Sequence, residues 1–144
     1  MRVIGLDVGD KTVGIAISDE LGLTAQGLPT LRRERLAADL SYVQGVADEH
    51  SATRVIVGLP LNMNGTEGPR GAASRKFGDA LGKLTGLPIE YWDERLTTAQ
   101  AERVLLEADV SRRKRRQVID KLAAQVILQS WLDAQRPVSE AEHE

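Results

Sequence analysis

The chain has 144 residues, enough for one well-buried domain and too few for two ordinary ones. Its composition, 42% hydrophobic and 28% charged with a net charge of −2, is typical of a globular protein and excludes a disordered one. The absence of cysteine excludes disulfides, thiolate nucleophiles and cysteine zinc sites. There is no secretory signal pattern and no apolar run of about 20 residues, so we expect a cytoplasmic protein that does not bind membranes.

The hydrophobic pattern predicts three strands followed by alternating helices and strands. In the second strand, Val13, Ile15 and Ile17 alternate with small residues, which is the period of a strand. The third strand contains Pro29, which favours the edge of a sheet. Thr97 and Gln100 fit a capping box that would start the third helix. The predicted strands are 2–8, 13–18, 21–31, 54–59 and 87–92, and the predicted helices are 35–50, 69–85, 97–108 and 117–134.

This order of elements predicts the fold class and the domain limits. Strands that alternate with helices form a parallel sheet, which here would carry an antiparallel hairpin at its start. We therefore expect one α/β domain over residues 1–136. Residues 137–144 are rich in glutamate and are predicted to form an acidic, flexible tail.

Acidic residues fall at positions where a carboxylate would destabilise the fold unless it binds a partner such as a metal ion. Asp7 ends the first strand, and Asp93 and Glu94 end the last one. Asp120 lies on the last predicted helix at a spacing that places it on the apolar stripe with Ala124 and Ile127. Carboxylates gathered in this way repel one another unless a divalent cation binds them, and oxygen ligands favour Mg²⁺ or Mn²⁺. Two such ions can bind the attacking and leaving oxygens of a phosphodiester.

Each acid also has a simpler interpretation. Asp7 could open a turn with its own side chain. Asp93, Glu94 or Asp120 could lie near a helix start, where the helix dipole favours an acid. The sequence pattern leaves the choice between Asp93 and Glu94 open. The metal site is favoured because the simpler interpretation would have to hold at all three places.

Two further segments are candidates for contact with a polyanion. An unbroken basic run lies in what we predict to be a connector over residues 109–116; it could be solvated surface, but self-repelling charges before a helix also suit phosphate contact. The polar loop after the fourth strand contains Asn62 and Asn64 and follows the carboxyl end of a parallel strand, where open α/β sheets place their sites. Because aromatic residues make up only 3% of the chain, an aromatic stacking platform for bases is not expected. The basic run consists of Arg112, Arg113, Lys114, Arg115 and Arg116.

Four stretches together resemble the YqgF/RuvX family, whose members are related to Holliday junction resolvases, belong to the ribonuclease H superfamily and are described as pre-16S rRNA nucleases. The resemblance runs from Arg2 to about Leu132, and the order of its motifs makes it specific. The stretches read GLDVGDKTVGIAISD, GLPLNMNGTEGPR, DERLTT and IDKLAAQVILQSWL.

The resemblance implies a ribonuclease H-like fold with a five-stranded mixed sheet, its first three strands antiparallel and its helices on both faces. It also implies a metal-dependent nuclease in which Asp7, Glu94 and Asp120 form an acidic triad. For the second acid the family pattern favours Glu94, with Asp93 as the fallback.

We therefore expect a nuclease that uses Mg²⁺ or Mn²⁺ to hydrolyse structured RNA, with a pre-16S rRNA as the substrate. Branched DNA is the alternative substrate, and resolving a four-way junction would favour a homodimer over a monomer. A module that binds nucleic acid without cleaving it is a second alternative. An actin-like ATPase is a third, but those enzymes clasp ATP between two domains. The residues expected to contact nucleic acid are Lys11, Asn62, Asn64, Arg70, Arg95 and the basic run.

Overall fold

The computed structural model describes residues 1–97 and 112–135, with the side chains of residues 112–121 left out of the description. Within these ranges the chain forms one five-stranded sheet in the order β3-β2-β1-β4-β5. The strands are β1 (Arg2–Val8), β2 (Thr12–Ser18), β3 (Ala25–Arg32), β4 (Ala52–Leu59) and β5 (Ile89–Asp93). The named helices are α1 (Leu36–Glu49), α2 (Pro69–Thr85) and, as the last one, α3 (Arg112–Gln135).

The sheet is mixed, as predicted. β2 pairs antiparallel with both β1 and β3. β4 pairs parallel with both β1 and β5, so the carboxyl ends of β1, β4 and β5 meet at one edge. This edge carries three of the acids that the sequence singles out, Asp7, Asp93 and Glu94.

The two faces of the sheet bury different side chains because residues alternate along each strand. On one face, residues such as Leu6 and Val57 pack with α1 and α2 around Phe77. On the other face, Val3 and Ile56 pack with Ile127 and Leu128 of α3. Helices therefore cover both faces, in agreement with the expected ribonuclease H-like fold.

Small residues bring α3 unusually close to the sheet. A Cβ atom at Gly5 would lie 2.7 Å from Cβ of Leu128, and one at Gly14 would lie 3.4 Å from Cβ of Ala124. A Cβ at Gly58 would lie 2.5 Å from Cδ1 of Ile127. At Gly5, where the main-chain oxygen of Ala124 would also lie 3.1 Å from the added Cβ, a larger side chain would push the helix away from the strand that carries Asp7.

The helix that follows β5 was predicted to start at Thr97, and this prediction was wrong. The chain is helical from Glu94, directly after β5, and Thr97 lies inside this first turn. The Thr97 hydroxyl donates to the main-chain oxygen of Glu94 at 2.6 Å, which is a bond back into the helix and not an N-cap. Gln100, the other half of the predicted capping box, and the helix end predicted near residue 108 lie outside the described residues.

The basic run was also misplaced. Residues 112–116 belong to the first turns of α3 and not to a connector. Arginine and lysine are among the better helix formers, and this preference accounts for the longer helix. The rest of the predicted connector and the predicted tail over residues 137–144 lie outside the described residues.

The third strand begins at Ala25, later than predicted, because Asp19 closes a turn before it. The Asp19 carboxylate accepts hydrogen bonds from the main-chain N–H groups of Leu23 at 2.7 Å and Thr24 at 3.1 Å. These bonds lower the pKa of Asp19, and they commit residues 19–24 to a turn. In the described part of the chain, no helix has the length and apolar character required to cross a membrane.

Candidate active site

Two carboxyl groups meet at the edge where the parallel strands end. Asp7 lies on the central strand β1, opposite Gly14 of β2, and Glu94 follows the last residue of β5. β4 separates these two strands, and Gly58 occupies the position between the acids. A Cβ at Gly58 would lie 2.7 Å from Oε1 of Glu94, so the missing side chain gives the Glu94 carboxyl room to reach Asp7.

The environment of Glu94 raises its pKa from 4.5 to about 7. Burial is the largest cause, followed by the negative charge of Asp7 and a hydrogen bond between the two carboxyl groups. The charge of Arg70 acts in the opposite direction and lowers this pKa. In the absence of metal, Glu94 is therefore partly protonated near pH 7, and binding of a cation to these acids would favour release of the proton.

Asp93 faces a different partner. Its carboxylate accepts hydrogen bonds from Arg95, from Nε at 3.0 Å and from Nη2 at 2.7 Å, and the main-chain N–H of Arg95 donates to it at 3.0 Å. The Arg95 guanidinium lowers the pKa of Asp93, which keeps it ionised. Asp93 is thus engaged by Arg95, whereas Glu94 is hydrogen-bonded to Asp7. The geometry favours Glu94 as the second acid of the site.

Arg95 also holds the loop that joins β4 to α2, residues 60–68, which we call the β4–α2 loop. Its Nη1 donates to the main-chain oxygen of Asn62 at 3.4 Å and to that of Met63 at 3.3 Å. Within the loop, Asn62 N–H donates to the Thr66 carbonyl at 2.8 Å, and Asn64 Oδ1 accepts from Thr66 N–H at 3.1 Å and from its hydroxyl at 2.6 Å. The two asparagines predicted to contact nucleic acid therefore also build the loop.

Asp120 lies on α3, four residues before Ala124. Ala124 packs against β2 close to Asp7: an added Cβ at Gly14 would lie 3.4 Å from Cβ of Ala124 and 3.5 Å from Cβ of Asp7. The Asp120 side chain is outside the described atoms, so its role as the third acid remains a prediction. Among the side chains that are described, no group of three or more metal-ligating residues occurs.

A cleft of about 580 Å³ opens beside Asp7 on the side away from Glu94. The strand register explains it: Val13 pairs with Leu31 but Ile15 pairs with Leu28, so β3 bulges by one residue opposite Gly14. Sequence reasoning missed this cleft, although Pro29 within a strand was a signal of irregular pairing. Its described lining residues are Asp7, Thr12, Gly14, Leu28, Pro29, Thr30, Ala123 and Ala124.

The other predicted contacts lie around the two acids. Lys11 is exposed in the turn between β1 and β2, where its carbonyl accepts from the N–H of Arg33 at 2.9 Å. Arg70 is the second residue of α2 and acts electrostatically on Glu94. The structure places the main chain of the basic run at the start of α3, and the side chains of this run are not described.

Comparison with known proteins identifies the family. The model of the RuvX family, described as a Holliday junction resolvase, matches residues 1–134. The chain belongs to the RuvX family. A Myxococcus xanthus relative, named as a candidate pre-16S rRNA nuclease, is 62% identical over 137 residues, covering 95% of this chain and 91% of that protein. A Symbiobacterium thermophilum relative of the same name is 59% identical over 134 residues, covering 93% of each chain.

Solved structures similar to this RuvX-family chain support the fold. A Thermus thermophilus RuvC structure superposes with a TM-score of 0.61 at 15% identity, covering 94% of this chain and 96% of that one. RuvC from the same organism in complex with a Holliday junction gives a TM-score of 0.62 at 16% identity, covering 94% of this chain and 95% of the other. These matches confirm the ribonuclease H-like architecture.

Proposed function

We propose that this protein is a divalent-metal-dependent nuclease that hydrolyses phosphodiester bonds in structured RNA, with a pre-16S rRNA as its substrate. The observation that carries the proposal is the contact between the Asp7 and Glu94 carboxyl groups across Gly58, at the ends of parallel strands. Two partly buried acids in contact are unfavourable without a cation. The names of the RuvX-family relatives support the choice of RNA.

The residues at this edge fit a magnesium or manganese ion. Carboxylate oxygens are the ligands that these hard cations prefer. The raised pKa of Glu94 reflects burial and the nearby charge of Asp7, both of which a bound cation would offset. We assign Asp7, Glu94 and Asp120 as the ligands. When bound, the metal would activate water for attack on phosphorus and stabilise the leaving 3′ oxygen.

The protein itself would position the substrate around these acids. Arg70 at the start of α2 and Lys11 in the β1–β2 turn would contact phosphates on either side of Asp7. Arg95 would act mainly by holding the β4–α2 loop beside the site, since Asp93 and two main-chain oxygens already engage its guanidinium. The basic run at the start of α3 would add affinity for the backbone without reading sequence. We further propose that the protein acts in the cytoplasm as a monomer or a homodimer.

Branched DNA is the second candidate substrate, because the matching family model is described as a Holliday junction resolvase. Resolution of a four-way junction requires two cuts, which a symmetric dimer would supply. A module that only binds nucleic acid is less favoured. Two carboxyl groups in contact repel one another and would also repel a phosphate backbone, so they would not assist binding alone.

Cleavage with Mn²⁺ over a panel of RNA and DNA structures, followed by mapping of product ends, tests the proposal. The panel contains a pre-16S-like RNA, a hairpin RNA, single-stranded RNA, duplex DNA and a four-way junction. We expect Asp7→Asn and Glu94→Gln to lose at least about a hundredfold in rate, as removal of electrostatic stabilisation does. Asp93→Asn is the matched control and should lose less than Glu94→Gln. Equal cleavage by wild type and Asp7→Asn would overturn the assignment.

A further inference from the structure

Met63 at the tip of the β4–α2 loop is the most exposed large hydrophobic side chain among the described residues, with 98% of its surface accessible. Single exposed hydrophobic residues are ordinary on protein surfaces. Met63 differs in its setting, because its main-chain oxygen lies 3.3 Å from Nη1 of Arg95, the residue that follows Glu94. The side chain therefore projects from a segment tied directly to the candidate active site.

The loop that carries Met63 is held in one shape. The Asn62 N–H donates to the Thr66 carbonyl at 2.8 Å, the Gly65 N–H donates to the Asn62 carbonyl at 2.9 Å, and Asn62 Nδ2 donates to the Thr66 hydroxyl at 3.1 Å. Gly65 has a φ of 86°, in the left-handed region that favours glycine, and so allows the tight turn. Because the main chain is already ordered, a ligand that contacts Met63 loses little further conformational entropy on binding.

The chemistry of the side chain points to a nucleobase. Proteins that bind the minor groove of DNA and kink the duplex often insert an apolar side chain, methionine included, between neighbouring bases. The methionine side chain is flexible, and its polarisable thioether makes favourable contacts with aromatic rings. All five aromatic residues lie in the described part of the chain, and four of them are not exposed; the fifth, Tyr42, is on α1, which packs on the face of the sheet opposite α3. An aromatic side chain is thus not available to take this place.

We propose that Met63 is a wedge that inserts against a base next to the cleaved bond and unstacks it from its neighbour. The proposal rests on the proposed nuclease function and adds a substrate feature, namely that the strand at the active site must be single-stranded or readily unstacked. Arg95 fixes the position of the wedge relative to Glu94. The phosphate contacts then hold the backbone while Met63 separates the bases.

Fluorescence of 2-aminopurine tests the wedge, because this base brightens when it is unstacked. The probe is a hairpin RNA with a single-stranded 5′ extension, carrying one 2-aminopurine at each position in turn around the cleaved bond. Asp7→Asn prevents cleavage during the measurement. In the Asp7→Asn protein that keeps Met63, we expect fluorescence to rise at one or two adjacent positions. Adding Met63→Leu should leave a similar rise, and adding Met63→Ala should abolish it.

Cleavage by proteins that retain Asp7 provides the second measurement. We expect Met63→Ala to lower kcat/KM about tenfold on structured RNA, and Met63→Leu to stay near wild type. Leu21→Ala is the matched control, since Leu21 is also highly exposed, at 79%, but lies in the β2–β3 connection. It should change neither measurement, and thermal melting should show that every variant is folded.

The outcomes separate this proposal from the nuclease proposal. Cleavage by wild type with an unchanged fluorescence rise in Met63→Ala would overturn the wedge and leave the nuclease intact. No metal-dependent cleavage by wild type, with the fluorescence rise still dependent on Met63, would overturn the nuclease and retain the wedge as a binding device. A wild-type protein that brightens 2-aminopurine at no position contradicts the wedge directly.

Discussion

The Glu94 carboxyl is hydrogen-bonded to the Asp7 carboxyl, although the strands that lead to the two residues are separated by β4. The contact requires Gly58 on the intervening strand, where any side chain would collide with Glu94. Position 58 is therefore as much a part of the site as the acids are.

Gly58→Ala should damage both activity and folding. The added Cβ would lie 2.7 Å from Oε1 of Glu94 and 2.5 Å from Cδ1 of Ile127, so both side chains must move away from their present positions. We expect cleavage to fall by more than tenfold and the free energy of unfolding to fall by about 1–3 kcal/mol, as overpacked cores do. Activity assays and urea denaturation measure the two effects.

Gly45→Ala is the matched control, because Gly45 lies on α1 and an added Cβ there meets no atom within 4 Å. Alanine in a helix is favoured over glycine, so this variant should gain about 0.5–1 kcal/mol and keep full activity. A Gly58→Ala protein as active as Gly45→Ala would show that Glu94 does not need the space above β4.

The stability of the metal-free protein should decrease as pH rises from about 4.5 to 7. The folded state raises the pKa of Glu94 from 4.5 to about 7, so between these values the folded protein holds a proton that the unfolded chain releases. The contribution of Glu94 to stability is therefore full below pH 4.5 and lost above pH 7. Thermal melting with a chelator across this pH range measures the slope.

Glu94→Gln should remove this slope and raise the free energy of unfolding at pH 8 by on the order of 1 kcal/mol, after allowance for solvent screening. Glu49→Gln is the control, since Glu49 is exposed at the end of α1. Added Mn²⁺ should stabilise wild type at pH 8 more than it stabilises Glu94→Gln, because binding to the folded state adds to stability. An identical slope in wild type and Glu94→Gln would contradict the assigned environment of Glu94.

Much of this site could be predicted from the sequence because its main signals are local. Asp7 and Glu94 end or follow strands, and the carboxyl ends of parallel strands meet at one edge. The close contact across Gly58 could not be predicted, because it depends on the register between β4 and β5. The cleft beside Asp7 depends on a bulge between β2 and β3, which again is a property of strand pairing.

The errors in the element boundaries arose where local preferences allow two structures. The Thr97 hydroxyl could cap a helix or bond back into one, and only the point at which β5 ends decides between these roles. The basic run could form a loop or a helix, since its residues have good helix propensity but repel one another. Between Asp93 and Glu94 the residue pattern alone gave no choice, because the two acids are adjacent and only the position of Arg95 distinguishes them.

The pKa of Glu94 should fall when Asp7 loses its charge. Burial remains in Asp7→Asn, but the repulsion from Asp7 is removed, so the pKa should drop below about 7 and stay above 4.5. A ¹³C NMR titration of the Glu94 carboxyl in metal-free protein measures it directly. Asp10→Asn, in the exposed turn that follows β1, is the control and should leave the titration unchanged. A Glu94 titration unaffected by Asp7→Asn would mean that the two carboxyl groups do not interact.

Asp93 and Arg95 should act as one unit in positioning the β4–α2 loop. Asp93 fixes the guanidinium that donates to the Asn62 and Met63 carbonyls, so removing either member should release the loop. We expect Asp93→Asn and Arg95→Ala each to raise KM several-fold, and the double variant to be little worse than either single one. Arg54→Ala is the control, because it breaks an exposed ion pair between Arg54 on β4 and Glu90 on β5. This variant should leave KM unchanged. Fully additive losses in the double variant would mean that Arg95 contacts the substrate independently of Asp93.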